Sequence, residues 1–142
     1  MPDDQTVELN LPSKIGYERI AIGGLAEFAK SVGFSSSRIE DLKTSVAEAC
    51  INAMQHGNKG KPDARVLVAF SFQENALRIS VFDEGEGLKA QPKDPDIERI
   101  IESLDPPVGF GVFLMKRLMD EVEFNRTSNH RHEVRMTMKL TG

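Results

Sequence analysis

Hydrophobic and polar residues follow two periods along the chain, and the order of these periods predicts the fold. The segments with helical spacing are residues 15–32, 39–53 and 111–120. The alternating segments, which predict strands, are residues 7–11, 66–72, 77–81, 121–127 and 133–140. Because most strands follow each other directly, we expect a mixed, mostly antiparallel sheet covered by helices on one face. This is a two-layer α+β sandwich.

Cap and turn residues set the expected ends of these elements. Ser35, Ser36 and Ser37 offer N-caps for the second helix, and Glu40 lies three residues past Ser37 in the spacing of a capping box. Gly57 is placed where a helix would end in a left-handed residue. Asn75 lies in the short connection 73–76, where its tolerance of positive φ favours a tight hairpin between two strands.

Residues 88–108 form a long connection with four prolines and several charges. Long connections of this kind in compact domains are often lids over a site. Lys89, Lys93 and Arg99 lie within it and are candidates to reach a γ-phosphate when the lid closes, the alternative for each being a solvated surface charge. We expect the whole chain, residues 1–142, to form one domain with this lid.

Composition narrows the classes of function. The net charge of −4 gives no electrostatic footprint for binding nucleic acid directly. No run of about 18 apolar residues is present that would span a membrane, so we expect no membrane partner. Cys50 is the single cysteine and falls among apolar helical positions, which predicts a buried, inert thiol and a reducing, cytoplasmic setting.

The second helix carries an acid, an amide and a histidine on one stripe. Glu48, Asn52 and His56 are spaced four residues apart, so they share one face of a continuous α-helix. The amide oxygen of Asn52 is a hard ligand of the kind that Mg²⁺ prefers. The carboxylate of Glu48 is suited to take a proton from a hydroxyl nucleophile.

Two glycine motifs complete the pattern. Asp83 shares the inward face of its strand with apolar residues, so its carboxylate needs a donor such as the amino group of adenine, and Gly85 and Gly87 allow the backbone to approach a flat base. Gly109 and Gly111 precede a helix whose free N–H groups would face phosphates. Each motif alone is common on helix surfaces or in turns. Together they predict a pocket for ATP and a divalent metal.

These motifs resemble the N box and two glycine boxes of the GHKL ATPase and kinase superfamily. Residues 39–53 and 114–122 are similar to the anti-sigma factor serine kinases of bacterial partner-switching systems, the RsbW type. The resemblance implies the Bergerat fold, with Glu48 as catalytic base and Asn52 as Mg²⁺ ligand. It also implies that the ATP-binding residues are Asn52, His56, Asp83, Gly85, Gly87, Gly109 and Gly111.

The resemblance also implies partners. Such kinases phosphorylate a serine on a small antagonist protein of the STAS type, sequester a sigma factor in their other state, and commonly form homodimers.

The sequence departs from the family pattern at Val134, which stands about where the family carries a threonine near adenine. The alternatives are a nucleotide-gated protein-binding module without catalysis and a histidine-kinase-like ATP-binding domain that acts in trans.

Overall fold

A five-stranded sheet and three α-helices make up the part of the chain described by the computed structural model, which is residues 5–85, 110–127 and 131–140. The strands are β1 (Val7–Pro12), β2 (Arg65–Gln73), β3 (Ala76–Asp83), β4 (Glu121–Arg126) and β5 (His132–Lys139). The helices are α1 (Glu18–Val32), α2 (Ser36–Asn52) and α3 (Phe110–Leu118), and a π-helical turn (Ala53–Gly57) continues α2. None of the helices in these ranges is long and apolar enough to cross a membrane.

The strands lie in the order β1-β2-β3-β5-β4, and each neighbouring pair is antiparallel. The α+β prediction is therefore confirmed, and the sheet of the described residues is antiparallel throughout. The central register places Val81 opposite Val134 and Asp83 opposite His132. Two strands that are about 50 residues apart in sequence thus bring a carboxylate and an imidazole to the same end of the sheet.

The core lies between one face of the sheet and the helices. The β2 and β3 residues Val66, Val68, Phe70, Leu77, Ile79 and Val81 are at most 1% exposed, and they share a cluster with Leu25 of α1 and Val46 of α2. Burial of such side chains is the main stabilising contribution, at about 1.5–3 kcal/mol for each. This packing fixes α2 over the sheet and so determines where its polar stripe faces.

The hairpin between β2 and β3 is formed as predicted. Glu74 and Asn75 both adopt left-handed conformations, with φ of 54° and 61°. Two consecutive residues with positive φ are the signature of a type I′ turn, whose twist matches that of the strands. Asn75 also fixes the end of β5, because its Nδ2 donates to the Leu140 carbonyl oxygen at 2.6 Å and its own carbonyl accepts from the Leu140 N–H.

Two helix starts differ from the prediction. Helix α1 begins at Glu18 rather than near Ile15, because Gly16 has a φ of 113°, which is incompatible with a right-handed helix. Ile15 therefore lies outside the helix and is 53% exposed. Helix α2 begins at Ser36 and is capped by Ser35, one of the three predicted cap residues, whose hydroxyl accepts from the Arg38 N–H, so the Ser37–Glu40 capping box does not form. Glu40 instead pairs with Lys43 along the helix at 3.3 Å.

Candidate functional site

The first turn of α3 lies directly against the polar stripe of α2. A Cβ atom placed on Gly111 would lie 2.6 Å from Glu48 Oε2 and 3.3 Å from Asn52 Nδ2. A side chain at position 111 would therefore collide with the predicted base and approach the predicted metal ligand. Glu48 and Asn52 are both half-buried. The fold thus brings two of the predicted motifs, which are about 60 residues apart, into one place.

The α-helical stripe ends at Asn52. The five following residues, Ala53–Gly57, form a π turn, which is wider than an α turn, is rare, and is frequently found at functional sites. Because the residue spacing changes there, His56 does not continue the Glu48–Asn52 stripe in α-helical register, and its side chain is exposed. Glu48 and Asn52 keep the α-helical spacing on which the prediction rests, and the role of His56 stays a prediction.

Gly57 has a different role from the predicted helix stop. Its φ is not positive, and the left-handed residues lie later, at Lys59 and Gly60. A Cβ atom on Gly57 would instead overlap the Asp83 carboxylate, and one on Gly85 would overlap the Gly57 carbonyl oxygen. Both glycines are required because the end of α2 and the end of β3 approach each other closely here.

The Asp83 carboxylate is buried, as its position on β3 predicts, with 4% of the residue exposed. Its Oδ1 accepts from the Gly85 N–H at 2.9 Å, and its Oδ2 lies 3.2 Å from Nδ1 of His132 on β5. A buried carboxylate needs donors, and these two come from separate segments of the chain. Val134, which replaces the threonine expected from the family resemblance, is buried. The polar neighbour of Asp83 on β5 is His132, two residues earlier in the sequence.

Asn58 holds the turn after Asp83 in place. Its Oδ1 accepts from the Glu84 N–H at 2.8 Å, and its Nδ2 donates to the Ser13 hydroxyl and the Arg65 carbonyl oxygen, both at 3.0 Å. The residue is 3% exposed, so each of these hydrogen bonds replaces one to water. One side chain thereby joins the β3 turn to the ends of β1 and β2.

A cleft of about 500 Å³ opens beside this turn. Its lining residues are Gly57, Asn58, Lys59, Lys61, Asp63, Ala64, Glu84, Gly85 and Arg126. The cleft therefore begins at the two glycines that pack around Asp83 and extends toward β4. Asp83, Glu48 and Asn52 are not among its lining residues.

The predicted site residues other than His56 fall into two groups. Glu48, Asn52, Asp83, Gly85 and Gly111 lie along one path, which runs from the α3 N-terminus through the π turn to the end of β3. Gly87, Gly109 and the 88–108 connection with its three cations lie outside the described residues, so their roles stay predictions. Sequence reasoning missed Gly57, Asn58 and His132, because only tertiary contacts give these residues a role.

Cys50 lies on α2 between Glu48 and Asn52 but faces the core. The thiol is fully buried and free, as predicted. Burial, together with the nearby charge of Glu18, raises the pKa of Cys50 from 9.0 to about 12. The thiolate is therefore absent at neutral pH, and Cys50 is not a nucleophile of this site.

We expect the free energy of unfolding to fall as the pH rises above 9. The unfolded chain releases the Cys50 proton at its ordinary pKa of 9.0, whereas the folded chain keeps it until about 12. The stabilisation from the protonated Cys50 thiol is therefore complete below pH 9. Above pH 9 the free energy of unfolding falls by up to about 1.4 kcal/mol per pH unit. Urea unfolding at about pH 8 and about pH 10.5 measures this loss.

The control for this prediction is Cys50→Ala, which removes the titrating group. The smaller side chain lowers the free energy of unfolding by an amount that does not depend on pH. The difference between the parent and this variant should therefore shrink as the pH rises. A difference that stays constant from pH 8 upward would contradict the prediction.

The residues present fit a bound nucleotide and metal. Asn52 offers an amide oxygen as a metal ligand and Glu48 offers a carboxylate as a base, both next to the N-terminus of α3, whose first N–H groups lack partners within the helix. Asp83 offers a buried acceptor at the other end of the path. Within the described ranges, no three His, Cys, Asp or Glu side chains converge as a metal cage.

Comparison with known proteins gives the family. Residues 11–138 match the family described as Histidine kinase-like ATPase domain. The chain is 34% identical over 142 residues to the Serine-protein kinase RsbW of Bacillus subtilis (strain 168), which covers 96% of this chain and 86% of that protein. It is 37% identical over 129 residues to the Serine-protein kinase RsbW of Bacillus pumilus, and this alignment covers 86% of this chain and 79% of that protein.

Solved structures agree on the fold. The RsbU and RsbW domains of a Mycobacterium tuberculosis protein align with a TM-score of 0.68 at 19% identity, over 95% of this chain and 32% of that one. A chain of the SiaB–SiaC complex of Pseudomonas aeruginosa aligns with a TM-score of 0.68 at 15% identity, over 93% and 88%. With the fold, the family match and the RsbW relatives in agreement, this chain belongs to the histidine kinase-like ATPase domain family and, within it, to the RsbW group of serine-protein kinases.

Proposed function

We propose that this protein is an ATP-dependent serine kinase that phosphorylates an anti-sigma factor antagonist and alternately sequesters a sigma factor. The observation that carries the proposal is the close approach of Gly111 to Glu48 and Asn52, because it supports a site in which Glu48 acts as the base and Asn52 as the metal ligand beside a helix N-terminus. The names of the RsbW relatives support serine as the acceptor.

Each residue of the site has a task in this reaction. Asn52 would hold Mg²⁺, which would neutralise charge on the phosphates. The first N–H groups of α3 face the phosphate oxygens, and Asp83 accepts a hydrogen bond from the adenine amino group. Glu48 takes the proton of the acceptor serine while the serine oxygen bonds to the γ-phosphorus of ATP. The bond between the γ-phosphorus and the oxygen that bridges it to the β-phosphorus breaks. The products are phosphoserine and ADP.

The partners in this proposal are proteins. The acceptor is a STAS-type antagonist with a phosphorylatable serine, and the sequestered protein is a sigma factor. The working form is a homodimer in the cytoplasm that does not contact nucleic acid directly. The SiaB–SiaC complex supports a protein partner for this fold, since a related fold is seen there in a complex.

The test is phosphate transfer from labelled ATP, with Mg²⁺, to a STAS-type antagonist. We expect one phosphoserine on the antagonist, and we expect Asp83→Asn to weaken ATP binding by about tenfold or more, because the amide can no longer serve as a charged acceptor. Isothermal titration calorimetry measures the binding, and mass spectrometry locates the phosphate.

The matched control is Asp63→Asn, the same change at an exposed residue of the cleft rim. It should bind ATP about as well as the parent, because an exposed carboxylate contributes little to a site it does not contact. A parent protein that binds ATP but transfers no phosphate to any antagonist would replace the kinase with the nucleotide-gated binding module. The valine at position 134 favours that second candidate, because no hydroxyl stands there.

A further inference from the structure

His132 is the polar residue beside Asp83 that the proposed chemistry does not use. It is the first residue of β5 and lies directly opposite Asp83 in the sheet. Only 9% of its side chain is exposed, and its ring stacks on that of Phe124 with 6.1 Å between ring centres and 16° between planes. Strand pairing and ring packing together give this imidazole a fixed place.

The position of one ring hydrogen follows from the partner. An ionised carboxylate only accepts hydrogen bonds, so Nδ1, at 3.2 Å from Asp83 Oδ2, carries the hydrogen and donates it. The Gly85 N–H occupies Oδ1 in the same way at 2.9 Å. One donor on each oxygen fixes the plane of the carboxylate. About two of its roughly four acceptor positions remain for a ligand.

The other ring nitrogen shows that packing alone does not explain a histidine here. His132 Nε2 is buried and has no hydrogen-bond partner within residues 5–85, 110–127 and 131–140. A buried polar atom without a partner destabilises the fold, and an apolar aromatic residue would stack on Phe124 without that cost. Such local violations concentrate at functional sites.

We propose that His132 is a positioning residue that sets the base specificity of the nucleotide site. By donating Nδ1–H to Asp83, it holds the carboxylate so that the remaining lone pairs accept the exocyclic amine of a purine. The inference rests on the proposed function, in which Asp83 binds the base. It adds that recognition of the amine depends on a residue of β5 which does not itself need to contact the nucleotide.

The test compares two amide variants of similar polarity. In His132→Asn the side-chain NH₂ stands near the position of Nδ1 and keeps the donor to Asp83, whereas in His132→Gln the amide lies farther out, near Nε2. Calorimetry gives the Kd values for ATP and for purine riboside triphosphate, which lacks the 6-amino group, both with Mg²⁺. We expect the parent to prefer ATP by about tenfold or more.

The ratio of the two Kd values is the readout, because a general loss of structure would change both alike. His132→Asn should keep the ratio within about threefold of the parent, and His132→Gln should lose most of it. A His132→Gln ratio equal to that of the parent overturns the inference, as does an equal weakening of both nucleotides in both variants. A parent that binds neither nucleotide overturns the proposed function as well, which separates the two failures.

A measurement on the unaltered protein covers the case in which the variants do not fold. Nitrogen-15 NMR of the His132 ring reports which nitrogen carries the hydrogen. We expect the Nδ1–H form in the free protein, retained when ATP is added. A ring with hydrogen on Nε2 alone cannot donate to Asp83 and would overturn the inference without any substitution.

Discussion

Replacing Glu48 by glutamine is expected to slow phosphate transfer to the antagonist by about 10²–10⁴-fold, the usual contribution of a general base. The amide keeps the size of the side chain and its place beside Gly111, but it cannot take the serine proton. ATP affinity should change little, since the base acts on the acceptor. Single-turnover transfer from labelled ATP measures the rate, and calorimetry measures the affinity.

Glu40→Gln is the matched control, because it makes the same change on the same helix at a side chain that is 69% exposed. Its ion pair with Lys43 contributes only about 0.2–0.5 kcal/mol, so transfer should proceed at nearly the parent rate. If Glu48→Gln transferred phosphate as fast as the parent, Glu48 would not be the base. The proton of the acceptor serine would then leave by another route.

Replacing Gly85 by alanine is expected to disturb both folding and nucleotide binding. The added Cβ would overlap the carbonyl oxygen of Gly57, a backbone atom that cannot rotate away as a side chain can. Overpacking of this kind destabilises by about 1–3 kcal/mol. Because the Gly85 N–H also holds Asp83 Oδ1, we expect ATP affinity to fall by about tenfold or more. Urea unfolding and calorimetry measure the two effects.

Gly23→Ala provides the comparison. Gly23 lies within α1, and a Cβ there would meet no other atom within 4 Å. Alanine is the better helix former by about 0.5–1 kcal/mol, so this variant should be slightly more stable than the parent and bind ATP equally well. Should Gly85→Ala behave like Gly23→Ala, the close approach of Gly85 to the π turn would not matter in solution.

Periodicity was sufficient to predict the sheet and the helices, because it reflects which face of each element is buried. The alternation in residues 66–72 and 77–81 matches the buried faces of β2 and β3, and Asp83 falls on the inward face as its parity requires. The I′ hairpin was predictable from Asn75 because a turn depends on few, local residues. Helix starts were less predictable, since Ser35 and Ser37 are equally good caps in sequence.

The parts of the site that sequence did not reveal are those made by long-range contacts. Nothing near Gly57 in sequence indicates a carboxylate, because Asp83 reaches it only after two strands have folded back. His132 lies in a polar segment that predicts only the start of a strand. Its partner, Asp83, is identified only by the register between β3 and β5. The π turn after Asn52 was also not predictable, because the apolar periodicity of α2 gives no sign of a change in helical pitch.

The crowding around Asp83 also limits how this pocket can change over evolutionary time. A glutamate at position 83 would need room for one more methylene where Gly57 already stands against the carboxylate. Neither glycine can gain a side chain without displacing the carboxylate or the backbone next to it, and the imidazole of His132 lies on another side of Asp83. A lineage in which a longer acid replaces Asp83 would therefore need an accompanying change in the π turn.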